Sequence, residues 1–424
     1  MLPAARRAHL GSVGAQAMKV VVRPAADGDL EGINRLRSLV YPVSQDSHDP
    51  EWHQRVWSWL ESHPLAEEEF HRWVLSTEEG EIVGHLAATP TRYRINGERV
   101  VAHTPADYQV LPQYGFQALL LMRKFFRSVQ NCVSIDMLPA VIAVETRMGA
   151  EEAGEMQYMA KLLNVSRLPA PPLPSPIKRL LNLQEKESIQ PAAYADLSRE
   201  EAAEFDGHVV APRRPRAPIP APIKALLNGG LSIADEALSS VFGSKLRVEK
   251  LGGFDESFDE LFERIASQVP CMVEKGSAFM NWRYGQDSPQ YPVTILGVRE
   301  GDALLGYAVL GVTVEGYFDG QRDGYILDLL TLPGRHDVSR ALLPEVVRFF
   351  RREGVPLVRY RFLESSTSPR SNDLLRLGFF PRKGRRNKLL FKFAEPGLHK
   401  TASDIANWSY NIGDGEATFW VRLS

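Results

Sequence analysis

Cysteine is scarce. The chain has two, Cys132 and Cys271, in 424 residues. Two thiols cannot supply a disulfide scaffold, and they fit a reducing compartment. Charge of one sign is missing as well. Fifty lysines and arginines stand against 52 aspartates and glutamates, a net charge of −2. No electrostatic field therefore points to nucleic acid as the main partner. Apolar runs fall short of the roughly 20 residues a membrane helix needs. The first 17 residues hold Arg6 and Arg7 but no apolar core, which argues against a secretory signal. Metal-ligand spacing is absent too. His48, His53, His63 and His71 match no zinc pattern, so no metal is expected. These absences leave a soluble, cytoplasmic protein without a membrane span.

What is present is a composition of 44% hydrophobic and 24% charged residues, as in globular domains. The length suggests two domains, or three. One stretch, residues 106–127, organises the rest. It reads as the end of a strand, a Pro-marked turn and an amphipathic helix. Leu119, Met122, Phe126 and Val129 keep helical spacing, and Arg123, Lys124 and Arg127 supply a polar face. A turn that aims the first amides of a helix outward is an anion site, because those N–H groups have no intrahelical partner. Residues 326–343 repeat the pattern, which suggests two copies of one unit.

In order, residues 19–23 read as a strand. A turn and N-cap at 24–29 precede a helix carrying Leu30, Ile33, Leu36 and Leu39. A second helix at 51–61 carries Trp52, Trp57 and Trp59, read as helix core or a domain contact in preference to a substrate pocket. Residues 72–77 and 82–88 form a hairpin. A strand at 99–110, the central helix, a strand at 132–136, a helix from 140 and a strand at 155–161 follow. The second unit repeats this with helices at 258–265 and 278–284, a hairpin over 291–314, a strand at 323–332 and a helix at 337–353. A strand at 356–361, a helix at 371–380 and a closing strand at 387–393 complete it. Residues 418–423 read as one further strand. Between the units lies a Pro-rich bridge with a small repeat, 174–182 and 220–228. The boundaries so drawn are a tail at 1–18, a unit at 19–163, the bridge at 164–249 and a unit at 250–424. Residues 382–386 make a basic turn, and Trp408 with 411–414 a tail folded back on a domain.

This order resembles the GCN5-related N-acetyltransferase superfamily. The resemblance rests on residues 81–86, 110–114 and 146–149 in the first unit, and on 304–308 and the Leu-Gly-Phe run within 375–379 in the second. It implies a tandem α/β fold, each unit a mixed twisted sheet flanked by helices. It also implies acetyl-CoA or another acyl-CoA as co-substrate, and a small-molecule or peptide amine as acceptor. The family's phosphate loop, Arg/Gln-x-x-Gly-x-Gly/Ala, is matched only at its ends. Gln113 and Ala118 fit, but Phe116 stands at the inner glycine position, and the second unit has no Gly-x-Gly. By resemblance the cofactor turn comprises Val110, Gln113, Tyr114, Gly115, Phe116, Gln117 and Ala118.

Transfer to an amine needs a proton acceptor and a donor to the leaving thiolate. Asp107 and Tyr108, just before the turn, are the nearest candidates for base and acid. The alternative is that Tyr108 is core and Asp107 merely exposed. Asp328 holds the corresponding place in the second unit. The leading expectation is an N-acetyltransferase. The alternatives are a fold-retaining scaffold that has lost its chemistry, or an aminoacyl-tRNA-dependent ligase of the peptidoglycan-bridge type.

Overall fold

A computed structural model describes residues 19–41, 48–65, 69–165, 221–314, 322–382 and 386–424. The expected tail, most of the Pro-rich bridge with its first repeat copy, and the middle of the basic turn lie outside them.

Two mixed sheets dominate. In the first, β1 (Val20–Pro24), β2 (His71–Thr77), β3 (Ile82–Ile95) and β4 (Glu98–Val110) run antiparallel, neighbour to neighbour. β5 (Cys132–Asp136) lies parallel to β4, and β6 (Glu151–Glu155) sits at the far edge. The hairpin at 72–88 forms as expected, but β3 continues to Ile95. There Asn96 and Gly97 turn the chain with positive φ of 49° and 83°. An Asn-Gly pair suits a two-residue turn because both central residues tolerate the left-handed region. The far end of β3 pairs with β9 (Cys271–Val273), and β9 with β16 (Trp408–Ser409).

In the second sheet β8 (Val248–Leu251), β10 (Thr294–Glu300), β11 (Ala303–Val312) and β12 (Gly324–Thr331) are antiparallel, and β13 (Leu357–Phe362) joins β12 in parallel. The remaining strands change places. β7 (Gln157–Leu162) lies between β13 and β14 (Phe380–Pro381) of the second sheet. β15 (Lys388–Lys392), read as the closing strand of the second unit, lies between β5 and β6 of the first. The buried Lys161 near the end of β7 ties this strand to the helix at Ala221–Phe242 and to the chain beyond Ser371–Arg376. Its ammonium donates to Asp235 Oδ1 at 2.7 Å and to the Leu377 carbonyl at 2.5 Å.

The helices cover these sheets. On the first lie α1 (Leu30–Val40), α2 (Pro50–Glu61), α3 (Ala118–Ser128) and α4 (Pro139–Arg147). Helix α3 buries Leu121, Met122 and Phe125, a face rotated from the one its spacing suggested, and Leu119 stays half-exposed. Asp29 does not cap α1 by its side chain. It pairs with Arg23 at 2.6 Å and accepts from the Ala26 amide. The second repeat copy opens α5 (Ala221–Phe242), a longer helix than its short apolar face implied. The second sheet packs against α6 (Glu256–Ala266), α7 (Ser277–Tyr284) and α8 (His336–Arg352) in one continuous core. Short helices α9 (Ser371–Arg376) and α10 (Pro396–Ala402) follow.

Residues 418–423 do not form a strand. A 3₁₀ turn at Glu416–Thr418 leads into a single bridge, Thr313 to Leu423. Phe419 is buried against α2 and against Ala87 and Ala106 of the first sheet. The tryptophans join α2 to α7. Trp59 and Trp282 stack with centroids 4.5 Å apart, and each indole N–H donates to the other's carbonyl, at 2.7 and 3.1 Å.

Candidate active site

The site begins where β4 leaves β5. The two strands pair only at His103 and Cys132, with Thr104 Oγ1 donating to the Val133 carbonyl at 2.7 Å. Beyond this they splay apart. A bulge sits at the splay, since Asp107 and Tyr108 together face the single Leu86 of β3. Asp107 has φ of 51°, the left-handed region that a short polar side chain tolerates best after glycine.

The second sheet repeats this geometry. β12 and β13 pair from Gly324 to Ile326 and then part, and a bulge falls at Leu327. Here the splay is filled by the chain's own tail. Leu363 N–H donates to the Tyr410 carbonyl at 2.8 Å, Asn411 Nδ2 to the Leu329 carbonyl at 3.3 Å, and Tyr360 O–H to Asn411 Oδ1 at 3.1 Å. Beneath it Lys275 bridges Asp328, at 2.9 and 3.0 Å, and Asp414, at 2.7 Å, all three buried. The turn after β12 is also occupied. Amides of Thr331 and Gly334 donate to the carbonyls of Thr367 and Ser366. In the first sheet, among the described residues, no backbone hydrogen bond joins residues 415–420 to β4 or β5. Nor does any described carbonyl accept from the amides of Phe116, Ala118 and Leu119.

The expected site residues divide. Val110 ends β4 opposite Gly84, and Tyr114 is buried, while Gln113, Gly115 and the almost fully exposed Phe116 form the outer rim of the turn. Gln117 and Ala118 are half-exposed at the start of α3. Asp107 is buried in a closed network. Arg37 pairs with one oxygen, and Gln109 Nε2 donates to the other at 2.9 Å with His85 Nδ1 3.2 Å away. Burial pushes its pKa up, but the Arg37 guanidinium and the His85 contact outweigh this and hold it at about 2. So acidic a carboxylate is a poor acceptor near neutral pH. Tyr108 turns toward α3 and donates to the Ala118 carbonyl at 2.9 Å. Burial and then the Glu145 charge raise its pKa.

Other groups that line the splay carry no signal in the periodicity. Asp136 ends β5, and burial pushes it up to about 6 although the Leu138 amide donates to it at 2.6 Å. Glu145 on α4 accepts from Ser134 at 2.5 Å, and burial pushes it up to about 8. Tyr41, after α1, is pushed up to about 12 by burial. Glu416 arrives from the tail on a turn packed against β4 and β5. Burial, then the charges of Asp136, Glu145 and Asp107, raise its pKa well above the carboxylate range. The closest sequence signal for this contact is the 411–414 turn, read as a tail folded back on a domain.

A mixed sheet whose central parallel strands splay beside a bulge, followed by a turn into a helix, is the GCN5-related N-acetyltransferase fold, and this chain has it. No protein-family model and no curated protein sequence matches the chain. Among solved structures it is similar to a GCN5-related N-acetyltransferase from Anabaena variabilis, at a TM-score of 0.50 and 13% identity, over 89% of this chain and 73% of that one. It is also similar to Saccharomyces cerevisiae N-myristoyltransferase with bound myristoyl-CoA, at 0.49 and 13%, over 91% and 89%. At such identities the likeness is one of fold. Among the described residues, no helix is long and apolar enough to cross a membrane.

Proposed function

We propose that the chain is an acyl-CoA-dependent N-acyltransferase made of two units of this fold that exchange a strand, with the first sheet's splay as its working site. The acceptor is an amine of a small molecule or peptide, and acetyl-CoA is the co-substrate. One contrast carries the reading. No backbone hydrogen bond joins residues 415–420 to the first splay, and the amides of Phe116, Ala118 and Leu119 have no carbonyl acceptor among the described residues, whereas Tyr410 and Asn411 bond across the second splay and Thr367 and Ser366 accept from Thr331 and Gly334 in the turn after β12. Outward amides at a helix start suit a pyrophosphate, and the gap between β4 and β5 suits a thioester arm lying beside the bulge. In this reading Tyr108 holds the start of α3 and Asp107 fixes the bulge.

Calorimetric titration with acetyl-CoA and with a longer acyl-CoA tests this on wild type and on Ala118→Asp. An acidic residue in the first turn of a helix suits the helix dipole, so the variant keeps its melting temperature. The same charge repels phosphate, so acyl-CoA affinity falls at least tenfold. Binding by neither thioester ends the acyltransferase reading and leaves a scaffold. Binding only by the longer one replaces acetyl-CoA as the co-substrate.

A further inference from the structure

The tail serves both splays in succession. Residues 410–414 fill the second, and the next residues pass to the first. The second half of the chain grips this segment on both sides of Glu416. Before it, buried Arg283 Nε donates to the Gly413 carbonyl at 3.0 Å, and Lys275 holds Asp414. After it, Arg283 Nη2 donates to Thr418 Oγ1 at 2.5 Å, and Gln290 Nε2 to the Thr418 carbonyl. Phe419 then packs with Ala87 and Ala106, and the Arg37 guanidinium lies 3.5 Å from the Trp420 ring centroid. Glu416 is thus fixed by its neighbours. Among the described residues, no donor bonds its own carboxyl, and the residue as a whole is half-buried. The other carboxyls at the splay are engaged. Asp107 is tied to Arg37 and Gln109, Asp136 accepts from Leu138, and Glu145 accepts from Ser134.

We propose that Glu416, presented at the first splay by a turn that the second half of the chain clamps, takes the proton from the acceptor amine. This rests on the acyltransferase reading. The acceptor arrives as an ammonium, and Glu416 takes one N–H proton to give the neutral amine. The nitrogen lone pair then attacks the thioester carbonyl, a C–N bond forms, and the C–S bond breaks with its electron pair on sulfur. The second N–H proton goes to that thiolate, and Glu416 returns its proton to solvent. The titratable groups close enough to act on Glu416 through their charge are Tyr41 from the end of α1, Asp107 on β4, Asp136 on β5, Glu145 on α4 and Tyr410 in the tail. Burial and then the three acidic neighbours raise its affinity for a proton, so Glu416 serves as the base in its ionised form, and protonating it before the amine arrives gives the acidic limb of the profile. The filled second splay becomes the anchor for a residue of the first.

The test uses the full chain, with Glu416→Gln and Glu416→Asp. Thiol release from acetyl-CoA is followed with a polyamine, an amino sugar and a lysyl peptide as acceptors. Slow thioester hydrolysis is the readout if none turns over, water taking the amine's place. Glu416→Gln is expected to bind acetyl-CoA as wild type does, to lose turnover by at least about 100-fold, and to lose the acidic limb of the pH profile. Glu416→Asp retains that limb at a shifted pH. A Glu416→Gln variant within threefold of wild type, or with the limb unchanged, overturns the proposal and leaves the acyltransferase standing. A wild type that neither binds acetyl-CoA nor releases thiol above background overturns both.

Discussion

Lys275→Met removes the only cation that touches Asp328 and Asp414 in the filled splay, among the described residues. Lys275 Nζ bonds both carboxylates at 3.0 Å or less, and all three side chains are buried. Tyr307 O–H, donating to Asp328 at 3.0 Å, cannot replace a charge. Breaking a buried ion pair from one side costs about 3–5 kcal/mol, because the charge left behind is uncompensated. Two carboxylates remain here, so the upper end is expected at pH 8. The pH dependence has a definite sign. A carboxyl whose folded pKa lies above its unfolded value holds its proton more tightly when folded, so stability falls as pH rises through that interval. For Asp414 the interval runs from the ordinary 3.8 up to about 6, with burial the main cause and Lys275 opposing it. Losing the ammonium extends the interval upward. The cost of Lys275→Met therefore grows from pH 5 to pH 8, by at most about 1.4 kcal/mol per pH unit for each proton. Equilibrium urea denaturation at both pH values measures it. Lys275→Met/Asp414→Asn, with one carboxylate fewer, recovers part of the loss. A cost under about 1 kcal/mol, a cost that shrinks with pH, or a double variant no better than the single would refute this account of the triad.

Two further outcomes follow from the fold. Tyr108→Phe loses one hydrogen bond to Ala118, about 0.5–1.5 kcal/mol, and keeps thiol release within a few-fold of wild type. A loss beyond 100-fold in that assay would make Tyr108 the acid. A specific protease site engineered within residues 166–220 and then cut leaves two fragments that co-elute in native size exclusion. Each fragment carries a strand of the other's sheet, and fragments that separate would show the exchange is not made in solution.

Much of the fold is legible because local chemistry dictates it. Asp49, N-cap of α2, accepts from the Trp52 amide. The Glu300 to Ala303 turn and the apolar β10 and β11 around it follow the same rule. Strand destination is another matter. β7 and β15 are short apolar runs between polar residues, buried on both faces in their middle, which suits any interior slot, and nothing local says which sheet will take them. The site divides the same way. The Pro-marked turn is visible around residues 110–118, whereas the bulge at Asp107 and Tyr108 shows only in the strand register. Glu416 is not visible either, because a 3₁₀ turn has no period, and its contact with β4 lies about 300 residues away in sequence. The Asn96-Gly97 turn is legible as a dipeptide, whereas the continuation of β3 from residue 88 to Ile95 is not marked by the apolar run at 82–88.

The strand exchange also has a consequence for the order of synthesis. When Glu155 leaves the ribosome the first sheet has β5 and β6 but not the strand between them, which lies about 230 residues further on. At about 5–20 residues per second, that gap stands open for roughly 10–50 seconds. Throughout that wait β5 and β6 expose unpaired backbone of the kind that recruits other chains. The nascent first half is therefore a client for chaperones in a way that its finished sheet never is.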